Sequence, residues 1–204
     1  MGEIGNIFDN LYRQFILRDL FAKIAPGSIG LLFTFLVFLS SLQESLCTIS
    51  GFRFWQWLIV FAVAWMAGFV LQHGGIVIGL LKDRTYSYRK KNQIEKIEEH
   101  FLAKALITID AGLEYNKVLE RIVVIKEACG NWSIALGYSA VMLLVRYFLH
   151  FSASCKYVLL YVFLFIGFVL GGFILNMAHR FHFDREGWFK DAYFDYKKER
   201  GNQN

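Results

Sequence analysis

Long apolar stretches alternate with charged segments along this chain of 204 residues. Four stretches contain almost no charged side chain, namely residues 28–49, 54–81, 132–149 and 157–177. A helix of roughly 20 mostly apolar residues crosses the hydrocarbon of a bilayer, and each stretch reaches about that length. The pattern therefore predicts an all-α, polytopic membrane protein with four transmembrane helices in two hairpins, together with cytoplasmic or interfacial amphipathic helices.

The same pattern divides the chain into five segments. They are an amphipathic interfacial helix in 1–27, a first transmembrane hairpin in 28–81, a cytoplasmic helical hairpin in 82–130, a second transmembrane hairpin in 131–178, and an aromatic and basic cytoplasmic tail in 179–204. Pro26 ends the first helix, because proline lacks the N–H that a helix interior needs. We interpret this helix as an anchor in the headgroup plane, with a moving gate as the alternative. The first apolar stretch starts too far along the chain for a signal peptide, so we interpret it as an uncleaved span.

Positive charge is sorted to alternate segments. Apolar residues make up 56% of the chain and charged residues only 19%, and segments 1–27, 82–130 and 179–204 hold 19 of the 22 Lys and Arg. Because Lys and Arg near spans stay on the cytoplasmic side, we expect both termini and the middle segment in the cytoplasm. The basic surface is typical of contact with the lipid bilayer. No nucleic-acid motif accompanies the charge, so we expect no direct binding of nucleic acid.

Two pairs of glycines predict close helix packing. Gly75 and Gly79 lie four apart in the second stretch, and Gly167 and Gly171 repeat that spacing in the fourth. Small residues at this spacing let helix backbones approach each other in lipid. We expect spans two and four to pack through them in a homo-oligomer, although the pattern alone fits contacts within one bundle or between subunits.

Few polar side chains lie at membrane depth, and each is a candidate for function because burying it in lipid is costly. The possible intramembrane polar site consists of Gln72, His73 and Asn131. His73 can line a pore, titrate near neutral pH or hydrogen-bond across the bundle, and we favour the last. His179 and His182 have a spacing that permits metal binding, but we interpret them as interfacial and expect no metal and no cofactor.

Outside the spans, apolar and aromatic residues follow helical spacing. A stripe of Ile94, Ile97, Phe101, Ala105 and Ile109 is predicted to pack against a second helix, starting near Glu114, or against a neighbouring subunit. The tail offers a possible docking site for a cytoplasmic partner, with a plain interfacial helix as the alternative. The candidate docking residues are Trp188, Phe189, Tyr193 and Phe194. Cys47 and Cys155 fall in the two outer connections, where a disulfide is possible.

No catalytic motif occurs in the chain. The sequence contains no HExxH, GxSxG, P-loop or GxGxxG pattern, and these patterns carry the chemistry of common hydrolases and nucleotide-binding enzymes. We therefore expect no enzyme activity and name no catalytic residue.

Two runs and the overall layout support a resemblance to known proteins. Residues 15–27 read FILRDLFAKIAPG and lead straight into a span, and residues 121–135 read RIVVIKEACGNWSIA. With four spans and cytoplasmic helices, the chain resembles membrane components of bacterial anti-phage defence systems such as Kiwa. The resemblance implies a membrane component that works with a cytoplasmic protein encoded beside it, and it carries over no catalytic residue.

These observations lead to one expected function and two alternatives. We expect a homo-oligomeric inner-membrane component that couples a cytoplasmic partner to the membrane, as a sensor or effector in anti-phage defence. A small stand-alone ion channel or transporter is the first alternative, and it would need polar residues along a path through the spans. A lipid-modifying membrane enzyme is the second.

Overall fold

The protein is described by a computed structural model that covers residues 19–38, 50–110, 112–151 and 157–201. Its helices are α1 (Ala25–Phe38), α2 (Phe54–Val77), α3 (Arg84–Lys90), α4 (Ile94–Asp110), α5 (Gly112–Leu149) and α6 (Val158–Gly201). A short π-helical stretch, 19–24, leads directly into α1. Turns complete the described part of the chain, which contains no strand, so the predicted all-α class is confirmed for it.

Four helices are long and apolar enough to cross a membrane, as the apolar pattern predicts. They are Asp19–Phe38, Phe54–Val77, Tyr115–Leu149 and Val158–Asp195. The last two are much longer than a bilayer requires. The 44 residues of α6 extend about 66 Å at 1.5 Å per residue, roughly twice the thickness of the hydrocarbon. Helix α6 therefore runs without a break through the boundary expected at residue 178, and α5 likewise runs through the boundary expected at 130.

Helix α5 is the centre of the bundle. It packs most extensively against α6, then against α1, and makes a smaller contact with α2. Helix α1 also packs against α2, so it contacts both α2 and α5. At mid-bundle, the Tyr138 hydroxyl of α5 lies 2.8 Å from the Thr34 hydroxyl of α1, which itself donates to the Gly30 carbonyl. Since a hydroxyl carries one hydrogen, Tyr138 is the donor to Thr34, and the hydrogen bond joins the two helices inside the apolar region.

The α1–α2 contact brings two backbones together. A Cβ on Gly27 would overlap the Ala64 carbonyl, and a Cβ on Gly68 would overlap the Lys23 carbonyl. Only glycine therefore fits at these two positions without moving a helix. Close approach of this kind is how helices gain van der Waals contact in lipid, where apolar side chains have no preference for each other over the lipid tails.

Two of the predicted packing glycines contact α5 instead of each other. A Cβ on Gly75 would lie 2.7 Å from Ile134 Cγ1, and a Cβ on Gly171 would lie 3.2 Å from Leu136 Cδ1. Both partners belong to α5, which lies where the fourth span was expected to meet the second. Within the described part of the chain, spans two and four thus do not pack through these glycines.

The other two predicted glycines have different surroundings. Gly79 lies beyond the end of α2, with φ +79°, a left-handed conformation that glycine adopts without strain. It therefore serves the turn after α2 and is not part of a helical packing face. Gly167 lies in α6, and no described atom comes within 4 Å of the position its Cβ would occupy. That face of α6 is open to lipid or to a second copy of the chain.

The close α1–α2 contact makes a specific prediction about stability. Gly68→Ala would push α2 away from the Lys23 carbonyl, and we expect it to lower the free energy of unfolding by about 1–3 kcal/mol, as overpacking does in other cores. Equilibrium unfolding by SDS from mild detergent measures this change. Gly74→Ala is the matched control, because it lies in the same helix with open space around its Cβ position. Equal loss of stability in both variants would contradict the assignment.

Candidate functional site

Charged and polar side chains converge at one end of the bundle, which we call the charged end. There the π-helical stretch enters α1, α2 finishes, α3 and α4 follow, and the long helices α5 and α6 pass through. If the membrane part of α6 starts at Val158, it ends after roughly 20 residues, near Met177. We define the polar junction by five side chains around and beyond that level: Lys82, Lys126, Asn131, His179 and Glu186.

The junction begins where Pro26 interrupts helical hydrogen bonding. Proline has no N–H, so Pro26 cannot donate to the Ala22 carbonyl, its α-helical partner, or to the Phe21 carbonyl, its π-helical partner. Two side chains of α5 take its place. Asn131 donates its amide N–H to the Ala22 carbonyl, and the Trp132 indole N–H donates to the Phe21 carbonyl over 2.9 Å. Asn131 is fully buried, and its bond joins α5 to the π-helical stretch that leads into α1.

His179 joins three parts of the chain. Its Nδ1 lies 2.9 Å from the Lys126 carbonyl, and the Lys82 N–H lies 3.2 Å from its Nε2. Because a carbonyl only accepts, Nδ1 carries a proton and donates to Lys126. Nε2 faces both the N–H of Lys82 and, at 3.3 Å, the carbonyl oxygen of Lys82. Gly130 makes room for the ring, since a Cβ there would lie 2.8 Å from Nδ1. The imidazole thus fixes α6 to α5 and to the turn after α2.

Glu186 is the centre of a buried ion-pair network. Its carboxylate accepts from the Lys126 ammonium of α5 at 2.6 Å and from the Lys190 ammonium of α6 at 2.8 Å. Only 4% of Glu186 is exposed. Two cations at hydrogen-bonding distance hold the carboxylate in its ionised form. Removing one member of such a network leaves a buried charge without compensation, which is strongly destabilising.

Three cations surround the ring of Phe183. The Arg84 guanidinium carbon lies 5.1 Å from the ring centroid, the Lys82 nitrogen 5.7 Å and the Lys126 nitrogen 6.0 Å. A cation near the face of an aromatic ring is attracted by the electrons of that face. Arg84 also lies directly against Gly187, where a Cβ would collide with the guanidinium. The start of α3 therefore packs against α6, beginning one turn beyond His179.

A small cavity lies inside the junction. Its volume is about 40 Å³, enough for water but not for a lipid or a metabolite. Its lining comes from α2, the following turn, α5 and α6: Gln72, Ile76, Leu81, Lys82, Asp83, Lys126, Glu127, Gly130, Asn131 and His179. The structure therefore brings Gln72 and Asn131 of the predicted polar site together. His73 does not join them, because it is exposed and bonds back to the Phe69 carbonyl of its own helix over 3.0 Å.

Most of the predicted docking aromatics are used within the chain. Tyr193 forms a core with Ile107 of α4 and Leu119 of α5, and Phe189 and Phe194 pack against it. The Tyr115 hydroxyl donates to the Phe189 carbonyl over 2.9 Å. Of the four predicted docking residues, only Trp188 has a mostly exposed side chain, at 66%. Phe189, Tyr193 and Phe194 thus fasten the end of α6 to α4 and α5, which leaves them little free surface for a partner.

The remaining candidates are cysteines and histidines. Cys47 and Cys155 lie outside the described residues, and Cys129 is a half-buried free thiol on α5. His179 and His182 have no third metal-binding neighbour: within the described residues, no three His, Cys, Asp or Glu side chains come together. His179 is already bonded through both ring nitrogens.

Sequence reasoning missed the network around Glu186. The spacing of Glu186 and Lys190 is a visible helical signal, but nothing local indicates Lys126, which is 60 residues away.

Comparisons with protein-family models, curated proteins and solved structures found no match to this chain. The junction itself therefore has to indicate function. Within it, Lys126 and Glu186 form an ion pair and the His179 imidazole is bonded to the backbone, so these side chains join helices.

Asn131 supplies the donor that Pro26 lacks. The effects of changing these two residues on the free energy of unfolding should therefore be coupled. Asn131→Leu leaves the Ala22 carbonyl without its donor and should cost about 1–3 kcal/mol of unfolding free energy. Pro26→Ala restores a backbone N–H, so the same Asn131→Leu change should cost clearly less in that background. SDS unfolding of the two single variants and the double variant measures the coupling. Additive costs would contradict the account.

The ion-pair network predicts how firmly the end of α6 is held. Glu186→Ala removes the carboxylate that pairs with the Lys126 ammonium of α5, and we expect local opening of α6. A cost of about 3 kcal/mol or more raises the open population, and with it the rate of tryptic cleavage after Arg185, by about a hundredfold. Asp184→Asn is the matched control, since Asp184 is exposed on the same helix. Cleavage at the wild-type rate in Glu186→Ala would rule out a clamping role for the network.

Proposed function

We propose that the chain is a homo-oligomeric component of a bacterial inner membrane that couples a cytoplasmic partner to the membrane, as a sensor or effector of anti-phage defence. The observation that carries this proposal is the continuity of α5 and α6 from the apolar region into the charged end, where the polar junction clamps them together. A rigid helix transmits a displacement at its polar end to its membrane part, whereas a flexible linker would absorb it.

The proposed orientation rests on charge. Lys and Arg are concentrated at the charged end. They lie in α3, in the turn before it, in the first half of α5 and in the second half of α6. Positive charge near spans is retained in the cytoplasm. This orientation places both termini in the cytoplasm. At the opposite end, only residues 50–53 and 150–156 separate the apolar stretches of the sequence, so a cytoplasmic partner has more surface to bind than an external one.

Assembly with itself is supported by the uncovered sides of the bundle. Only 6% of the apolar window in α6 is buried within the chain, and large side chains such as Leu159 and Phe163 are mostly exposed. Gly167 lies on the exposed side of α6, in the middle of this apolar surface. A small residue there permits a neighbouring helix to approach closely in lipid. Lipid covers whatever area a second copy does not.

The defence role is supported by the resemblance of layout and of residues 15–27 and 121–135 to membrane components of anti-phage systems. The structure adds a reason for those two runs to occur together. The first contains Pro26 and the second contains Asn131. Pro26 has no N–H to donate to the Ala22 carbonyl, and Asn131 donates to that carbonyl in its place. This compensation holds the helices of the membrane part together. It fits a component whose membrane part must stay assembled while its polar end binds a partner.

Phage challenge of a host that carries the chain with its neighbouring genes tests the proposal. Deleting the chain should raise plaque counts for at least one phage of a broad panel. Glu186→Ala should do the same while the protein remains in the membrane, because it releases α6 at the charged end. Asp184→Asn should keep protection. Unchanged plaque counts on deletion, or a monomer in both mild detergents and nanodiscs, would contradict the proposal; ion flux from the purified chain alone in liposomes would favour a stand-alone channel.

A further inference from the structure

One apolar side of helix α4 faces away from the other described residues of the chain. Ile94, Phe101 and Leu102 are 63%, 57% and 61% exposed. Ile94 and Phe101 lie seven residues apart and therefore on one side of the helix. The side that packs inward is a different one, where Ile107 is fully buried against Leu119 and Tyr193. The predicted packing of the Ile94 stripe against α5 is thus wrong for Ile94 and Phe101.

The outward face, which we call the α4 face, consists of Ile94, Glu98, Phe101 and Leu102. Glu98 is exposed and follows Ile94 by four residues and precedes Phe101 by three, so it lies among the apolar side chains. The whole of α4 carries four acidic and two basic residues, in a chain whose net charge is +5. A face that combines apolar side chains with a carboxylate favours an occupant that is apolar and carries positive charge.

Charge argues against the bilayer as that occupant. Helices that lie in a membrane surface carry Lys and Arg along their polar side, and the cytoplasmic leaflet is itself negative. A carboxylate in the middle of the apolar face would enter the headgroup region against both effects. A second copy is disfavoured for a related reason. In a twofold contact the same patch meets itself, which would bring the two Glu98 carboxylates close together.

We propose that the α4 face binds a cytoplasmic protein through a segment that presents apolar side chains and a Lys or Arg opposite Glu98. Phe101 and Leu102 supply the buried contact area, and Glu98 supplies the charge that selects a basic segment. Aromatic anchors with a complementary charge at their edge are typical of specific interfaces. This inference rests on the proposed function, since it names the surface by which the proposed partner is held.

Site-specific photo-crosslinking in the native host tests the inference with the full-length chain. A benzophenone amino acid replaces Phe101 in one variant and Trp188, the exposed aromatic of α6, in another. We expect crosslinking from position 101 to a distinct protein, with the crosslinked peptide containing apolar residues beside a Lys or Arg. Glu98→Lys in the same variant should reduce the yield about tenfold or more, as charge reversal at an interface does. Glu120→Lys is the matched control, because it makes the same change at an exposed position of α5 and should leave the yield unchanged.

Each other outcome overturns the inference in a recognisable way. Adducts of lipid, a product with twice the mass of the chain, or a crosslink to residues 1–18 of the same chain would each show a different occupant on the α4 face. A yield insensitive to Glu98→Lys would remove the role of charge. Partner crosslinks from position 188 alone would refute the inference and leave the proposed function standing. No protein partner from either position would count against both.

Discussion

The bundle depends on satisfying the backbone of α1 at Pro26. In lipid, no water is available to bond a free carbonyl, so every such group needs a partner within the protein. Pro26 removes a donor just where the first span begins, and α5 supplies two donors in its place through Asn131 and Trp132. The interruption of one helix is therefore repaired by another, which fixes their relative height and rotation more tightly than apolar packing alone can.

From that fixed pair the order of the other helices follows. The glycines of the α1–α2 contact hold α2 against the π-helical stretch and α1, and α5 packs against α6 as well as against α1. The imidazole of His179 and the carboxylate of Glu186 then bind α6 to α5 beyond the apolar region. Continuous helices and buried polar bonds at their exit join the charged end and the membrane spans into a single mechanical unit. This property is what the proposed coupling function needs.

The sequence predicts the helical class and the four spans. A helix that crosses hydrocarbon must be mostly apolar and about 20 residues long, and both properties can be read from the sequence. It does not predict which helices meet. Spacing of Gly75, Gly79, Gly167 and Gly171 indicates close packing, but a spacing rule names no partner, and α5 is the partner for two of them. The α4 stripe shows the same limit: its period predicts a helix with one apolar side, whereas the direction of that side depends on contacts such as Ile107 with Tyr193.

Hydrogen exchange across the expected boundary in α6 tests whether this helix is continuous from the membrane span to the charged end. In the full-length protein in nanodiscs, we predict slow exchange for every backbone amide from about 170 to 190, with no gap between the membrane span and the charged end. Such protection requires an unbroken helix held on α5 at both levels. Fast exchange confined to residues 178–183 would show a break between membrane and tail. It would contradict the idea that α6 transmits motion from one to the other.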